Sequence, residues 1–172
     1  MKRLLFTLAT CCVMCACEQK TEMNPFFTEF QTEYGAPDFT KIRLEHYEPA
    51  FLKGIEEQNA EIKAIVDNPE EPTFENTIVA LDKSGGILAR VSGVFFALTE
   101  ADTNDSLTAL NEKMAPVLSE HSDNIYLNQD LYKRVADVHQ QEQEGKITLT
   151  TEQHRLCLLY TSPSPRDKRQ SR

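Results

Sequence analysis

PAFLKGIEEQNAEIKAIVD, residues 49–67, decides the fold class. Phe51, Ile55, Ile62, Ile65 and Val66 recur at helical spacing, and Glu and Lys fill much of the space between them. Residues three and four apart share one face of a helix, so this is a helix with a single apolar stripe. Pro49 suits the first turn, where its missing N–H would have no partner in any case. The spacing therefore predicts a helix from His46 or Pro49 to Asp67. Asn68-Pro69-Glu70-Glu71-Pro72 then breaks it, because each proline biases the residue before it away from helical geometry.

The same pattern repeats downstream. Thr73 can cap a second helix whose stripe is Ile78, Leu81, Leu88, Val91, Phe95 and Leu98. Gly85-Gly86 interrupts it at a cost of about 1 kcal/mol per glycine, which marks either a close backbone approach or a kink or break. Asn104 or Asp105 can cap a third helix carrying Leu107, Leu110, Met114, Val117, Leu118 and Ile125, and Pro116 predicts a bend within it. Asn128 opens a fourth, with Leu131, Val135 and Val138 on one face and Gly145 as its stop. A fifth starts near Thr150 or Thr151 and carries Leu156, Leu159 and Tyr160. No segment alternates with period two. The body, residues 46–160, reads as all-α, about five helices that run antiparallel where their connections are short.

Residues 1–16 read as a signal peptide. Lys2 and Arg3 form a positive start, and Leu4 through Val13 is an apolar run of roughly 10 residues, too short to span a bilayer. Met14-Cys15-Ala16-Cys17 resembles a bacterial lipobox, which makes Cys17 the lipidation site. The expected destination is export, as a periplasmic or outer-membrane-anchored lipoprotein that meets the membrane through its lipid. Residues 17–45 form a polar tether and an extended lead-in containing Phe26, Phe27, Phe30 and Tyr34. Residues 161–172 break the logic, because two prolines and four basic residues replace the apolar stripe. This stretch is expected to be a disordered basic tail, an artefact at the end of a truncated gene in preference to a regulatory segment.

Charge narrows the partners. Between Cys17 and Tyr160 stand 12 Lys and Arg against 26 Asp and Glu, a net of -14, within a whole-chain charge of -9. Such a surface repels phosphate backbones, so no nucleic-acid partner is expected. Chemistry is sparse as well. His46, His121, His139 and His154 include no pair at the i, i+4 spacing of a helical zinc site, and none is followed directly by Glu. They read as surface or capping histidines, and His139 and His154, on separate helices, would meet only through the tertiary fold. Cys157, flanked by Leu156 and Leu158, reads as a small buried hydrophobe. Acidic pairs such as Glu56-Glu57 read as solvated faces, and no Gly-x-Ser-x-Gly elbow or phosphate loop is present. The residues alone assign no catalytic and no metal-binding side chain.

Specific strings carry further than periodicity. Asn24-Pro25-Phe26, His46-Tyr47 with Pro49-Ala50-Phe51, and Glu61-Ile62-Lys63-Ala64-Ile65 occur in order. They are followed by Pro72-Thr73-Phe74-Glu75-Asn76-Thr77-Ile78 and Ala80-Leu81-Asp82-Lys83-Ser84-Gly85. Arg90-Val91, Val94-Phe95-Phe96-Ala97-Leu98, Thr103-Asn104-Asp105, Ala115-Pro116 and Asp123-Asn124-Ile125-Tyr126-Leu127-Asn128 complete the series. Together they resemble the peptidyl-dipeptidases of the thimet-oligopeptidase family of zinc metallopeptidases.

The resemblance implies a much longer helical enzyme folded around a deep channel, of which this body is the N-terminal wall and roof. It implies zinc held by an HExxH motif and a further glutamate beyond these residues, with release of dipeptides from the C-termini of short peptides. None of the family's catalytic residues maps onto this sequence, so this chain is expected to bind no zinc or other cofactor itself and to be inactive alone. A competing expectation is an acidic helical surface lipoprotein that serves as a binding or regulatory module.

Overall fold

The computed structural model describes residues 23–161. The leader, Cys17 and the tail beyond Thr161 lie outside the described residues. Among the described residues all regular structure is helical. Helix α1 spans Leu44–Val66, and a π-helical turn at Phe74–Val79 runs into the short α2, Ala80–Lys83. Then follow α3 (Gly86–Ala101), α4 (Asp105–Tyr126), α5 (Gln129–Gln143) and α6 (Thr151–Thr161). The second expected helix is thus two, divided at Ser84-Gly85, where Gly85 takes a φ of 75° that a side chain would strain.

Most helix ends follow the sequence signals. Thr73, Asn104 and Asn128 each accept a hydrogen bond from a backbone N–H of the first turn they cap. Thr150 and Gln153 cap each other reciprocally ahead of α6. Gly145 (φ 71°) closes α5, with the Lys146 N–H bonded to the Gln141 carbonyl at 2.9 Å. The start of α1 differs from expectation. It begins at Leu44, two residues before the earlier expected start, where His46 Nδ1 accepts the Arg43 N–H at 3.1 Å and fixes the entry. Pro49 therefore lies inside the helix, where it leaves the Glu45 carbonyl without its usual partner. Pro116 likewise sits within α4, which continues through it to Tyr126.

Two apolar clusters share α1 as their spine. Its N-terminal half places Tyr47, Ala50 and Phe51 against Phe26, Val91, Val94, Phe95, Leu107 and Met114. Phe95 stacks edge-on against both Tyr47 and Phe51, with ring centroids 5.3 Å apart in each pair. Its C-terminal half places Ile62 and Ile65 against Phe74, Ile78, Leu81, Leu131, Val135, Val138 and Cys157. Between the halves lies Gly54, where α3 crosses. A Cβ built on Gly54 would lie 2.7 Å from the Leu88 nitrogen and 2.9 Å from its Cα.

Long-range hydrogen bonds fasten the loops to this frame. Arg90 donates to the Phe26 carbonyl at 2.7 Å and Asn24 to the His46 carbonyl at 2.7 Å, which hold the lead-in on the first cluster. Arg134, buried on α5, donates to the carbonyls of Asn68 (2.8 Å) and Glu70 (3.3 Å). Gln141 donates to the Pro72 carbonyl at 3.0 Å. The proline-rich breaker after α1 is thus held by two side chains that sequence periodicity had no means to single out.

The crossing makes a prediction with opposite signs at two glycines. Gly54→Ala should destabilise the chain by on the order of 1–2 kcal/mol in urea unfolding, because overpacking against backbone outweighs the gain in helix propensity. Gly93→Ala, also helical but with nothing within 4 Å of its Cβ, should be neutral or stabilising. Equal effects at the two positions would remove Gly54 from its role as the crossing point.

Candidate functional site

The break at Ser84-Gly85 lies against the middle of α1 and creates the floor of a cleft. Gln58 on α1 donates from its amide nitrogen to Ser84 Oγ at 3.2 Å, and Ser84 in turn donates to the Leu81 carbonyl at 2.8 Å. With its nitrogen so engaged, Gln58 turns Oε1 to His121 on α4, 2.7 Å from Nε2. Nε2 is therefore the protonated ring nitrogen, and it donates to the amide oxygen. One turn along α1, Glu61 accepts the Gly85 N–H at 2.7 Å, which puts a carboxylate at the N-terminus of α3, where the helix dipole favours it. A side chain at position 85 would collide with the Gln58 amide, 2.6 Å from the ideal Cβ.

Above this floor the cleft encloses about 410 Å³ between α3, α4, α5 and the end of α6. Leu88, Leu118, Ile125, Leu131 and Val135 form apolar walls, and Phe96, Tyr126, Tyr132 and Tyr160 stand around them. Tyr126 is 76% exposed and Tyr132 54%, so the cleft presents an aromatic rim to solvent. Tyr160 donates to Asp82 Oδ1 at 3.3 Å, and burial together with that carboxylate pushes its hydroxyl up to about 12. The volume, apolar walls and few polar groups match a site that binds a ligand or a chain segment.

The arrangement does not supply covalent catalysis. Ser84 and His121 lie at the two ends of one hydrogen-bonded chain, yet an amide separates them. Gln58 has no basic atom at neutral pH, so no base reaches the Ser84 hydroxyl. The site is built to hold a shape, with its polar atoms paired to one another.

The histidines distribute differently from the sequence reading. His46 is a capping residue, as expected. His121, expected at a surface or cap, is buried (6% exposed), and desolvation lowers its pKa below the ordinary 6.5. The signal for it existed, since His121 falls in the same helical register as Met114 and Leu118, but a polar residue gave no reason to look. His139 and His154, on α5 and α6, are brought together through Glu142. His154 Nδ1 lies 2.8 Å from Glu142 Oε1, and His139 Nδ1 lies 3.6 Å from Oε2. Cys157, fully buried as expected, lies beside them. Burial, then the Glu142 carboxylate, push its thiol up, which keeps it protonated and unsuited to nucleophilic attack.

Comparison with known proteins places this body in context. No family model matches the chain. It is 46% identical over 136 residues to "Dipeptidyl carboxypeptidase" of Escherichia coli (strain K12), which covers 79% of this chain and 20% of that protein. Its identity to the protein of the same name from Salmonella typhimurium is also 46%, over 118 residues, 69% of this chain and 17% of the relative. "Oligopeptidase A" of Escherichia coli is 28% identical over 130 residues, covering 76% of this chain and 18% of its own length. The chain thus spans about a fifth of the curated relatives it matches.

Because His121 is held neutral, it favours the folded state above its ordinary pKa, and that contribution is lost as pH falls through its lowered folded value. Urea unfolding of the parent and of His121→Gln between pH 7.5 and pH 5 should show a steeper loss of stability in the parent. Parallel curves would mean that His121 carries no linked proton.

Proposed function

The chain is a homologue of the dipeptidyl carboxypeptidases along 79% of its length, and from that premise we propose that residues 23–161 form the N-terminal helical wall of a zinc peptidase releasing dipeptides from the C-termini of short peptides. The 46% identity over 136 residues carries the reading. The lower identity to oligopeptidase A, 28%, favours the dipeptide-releasing subtype over a general oligopeptidase. An all-helical body whose cleft has an aromatic rim and a polar floor with its groups already paired supports a wall that holds shape and limits access.

The catalytic zinc of such an enzyme does not fit these residues. The sequence holds no HExxH, and its four histidines offer no i, i+4 pair. No step of peptide hydrolysis is assigned to any of them, and in this reading the chemistry belongs to sequence other than these 172 residues. The apolar leader and Cys17 support export and lipid anchoring, which would place the wall at a membrane surface in an oxidising compartment. A body with a single cysteine, Cys157, suits that compartment, since it has no internal disulfide to mispair.

A segment exchange tests the peptidase reading. Replacing the matched stretch of the Escherichia coli dipeptidyl carboxypeptidase with residues 24–160 should give a soluble protein that still releases C-terminal dipeptides and loses that activity to a zinc chelator. A folded chimera without activity would sink the assignment. Export is tested separately: metabolic labelling with a radioactive fatty acid should mark the full chain, and Cys17→Ser should abolish the label and release the protein from the membrane fraction.

A further inference from the structure

The meeting of α5 and α6 carries chemistry that neither the cleft nor the peptidase reading uses. His139 and Glu142 stand three residues apart on α5, and His154 and Cys157 stand three apart on α6. Each pair therefore shares a helix face, and the two faces are turned towards each other. A ring nitrogen of His139, a Glu142 carboxylate oxygen and Cys157 Sγ lie within 4.8 Å of one another. In the same two residues, His139 Nδ1 and Glu142 Oε2 are buried and have no hydrogen-bond partner. Buried polar atoms rarely go without a hydrogen bond, and here two of them lie 3.6 Å apart, beyond hydrogen-bond length, beside a thiol.

The surrounding groups are arranged as outer supports for that point. His154 Nδ1 reaches Glu142 Oε1 at 2.8 Å and leaves Oε2 turned inward. The Gln143 side-chain amide lies 2.8 Å from His139 Nε2. The amide nitrogen faces the ring there, so Nε2 accepts and the proton sits on Nδ1, 3.6 Å from Glu142 Oε2. A metal at Nδ1 needs the amide turned over so that its oxygen accepts from Nε2–H, the ring proton moving from Nδ1 to Nε2. Metal-bound histidines and carboxylates are held by such second partners, which fix the tautomer and the orientation.

We propose that His139 Nδ1, Glu142 Oε2 and Cys157 Sγ bind a divalent transition ion of the zinc class, with His154 and Gln143 as outer partners and water completing a tetrahedron. Mixed nitrogen, oxygen and sulfur donors suit this ion, whereas calcium and magnesium take oxygen alone. Binding forms a metal–sulfur bond and breaks the Cys157 S–H bond, whose proton passes to solvent. The bound thiolate and carboxylate then carry two negative charges against two positive ones, so a site of this burial is neutral overall. The ion would pin α6 to α5 near the Gly145 turn. This site is independent of the peptidase reading, because its ligands lie on two helices and include a thiolate.

Cobalt(II), which reports thiolate ligation by a near-ultraviolet charge-transfer band, tests the proposal on the full chain. Cys11, Cys12, Cys15 and Cys17 are first replaced by serine, so that Cys157 is the sole thiol. One equivalent of cobalt should raise the band together with visible tetrahedral bands, and zinc should displace it. Glu142→Gln and His139→Ala should each weaken binding at least about tenfold, and His154→Ala by about 10–100-fold. Cys157→Ser should erase the charge-transfer band. Where that variant does not fold, the thermal midpoint decides: zinc should raise it in the parent and not in Glu142→Gln. Absence of the band in the folded parent overturns the site, as does a band that Glu142→Gln and His139→Ala leave unchanged.

Discussion

The backbone contact between Gly54 and Leu88 is the constraint from which the rest of the body follows. With no side chain at Gly54, α3 comes down onto α1 at backbone distance, and that single crossing divides α1 into two working halves. Towards its N-terminus the helix packs on the aromatic cluster of Phe26, Tyr47, Phe51 and Phe95. Towards its C-terminus it packs on Ile78, Leu131, Val135 and Val138. The crossing also sets the register of the chain just before α3. It places the Ser84-Gly85 break one turn further along α1, where Gln58 and Glu61 are available to receive it. The polar floor of the cleft is thus a consequence of where two helices touch, and His121 is buried because that floor needs a partner.

Helix periodicity recovered most of the architecture because it reports what one face of a helix buries. The stripes of Phe51 to Val66 and Leu131 to Val138, and the caps at Thr73, Asn104, Asn128 and Thr150, were all legible, since each rests on local spacing. What stayed hidden depends on partners far away in the chain. Gly54 lies within the very stretch that decides the first helix, yet nothing local separates a glycine under Leu88 from one facing water such as Gly93. Pro49 misled for a related reason. It fits a first turn on propensity, but His46 closes the Arg43 N–H and draws the start of α1 back to Leu44.

The polar interior was the least legible part. His121, Arg134 and Gln58 look like surface residues in composition, and each is an interior fastening. Arg134 holds the carbonyls of Asn68 and Glu70, and so satisfies backbone groups that the proline-rich breaker exposes. A sequence pattern can show that the breaker ends a helix, but not which side chain, more than sixty residues away, will pair its carbonyls. Resemblance to known proteins carried information of a different kind. Ordered strings such as Pro72-Thr73-Phe74-Glu75-Asn76-Thr77-Ile78 contain the cap, the π-helical turn and the buried Thr77 together, a combination that periodicity treats as unrelated residues.

Helix α6 links the cleft to the polar cluster behind it, and it joins the second apolar cluster through Cys157, with Leu156 and Tyr160 partly buried there. At one end it offers Tyr160 to the cleft through a single long hydrogen bond to Asp82. At the other, Cys157 and His154 meet Glu142. Leu159 between them is 68% exposed, so the helix does not commit a full apolar face to the second cluster. A helix of eleven residues has little stability of its own and takes its place from tertiary contacts. The contacts at Glu142 hold α6 against α5, and Tyr160 near the end of that helix stands on the aromatic rim. The α5–α6 junction thus supports one edge of the cleft from behind, since α6 supplies Tyr160 to the lining while His139, Glu142, His154 and Cys157 stay outside it.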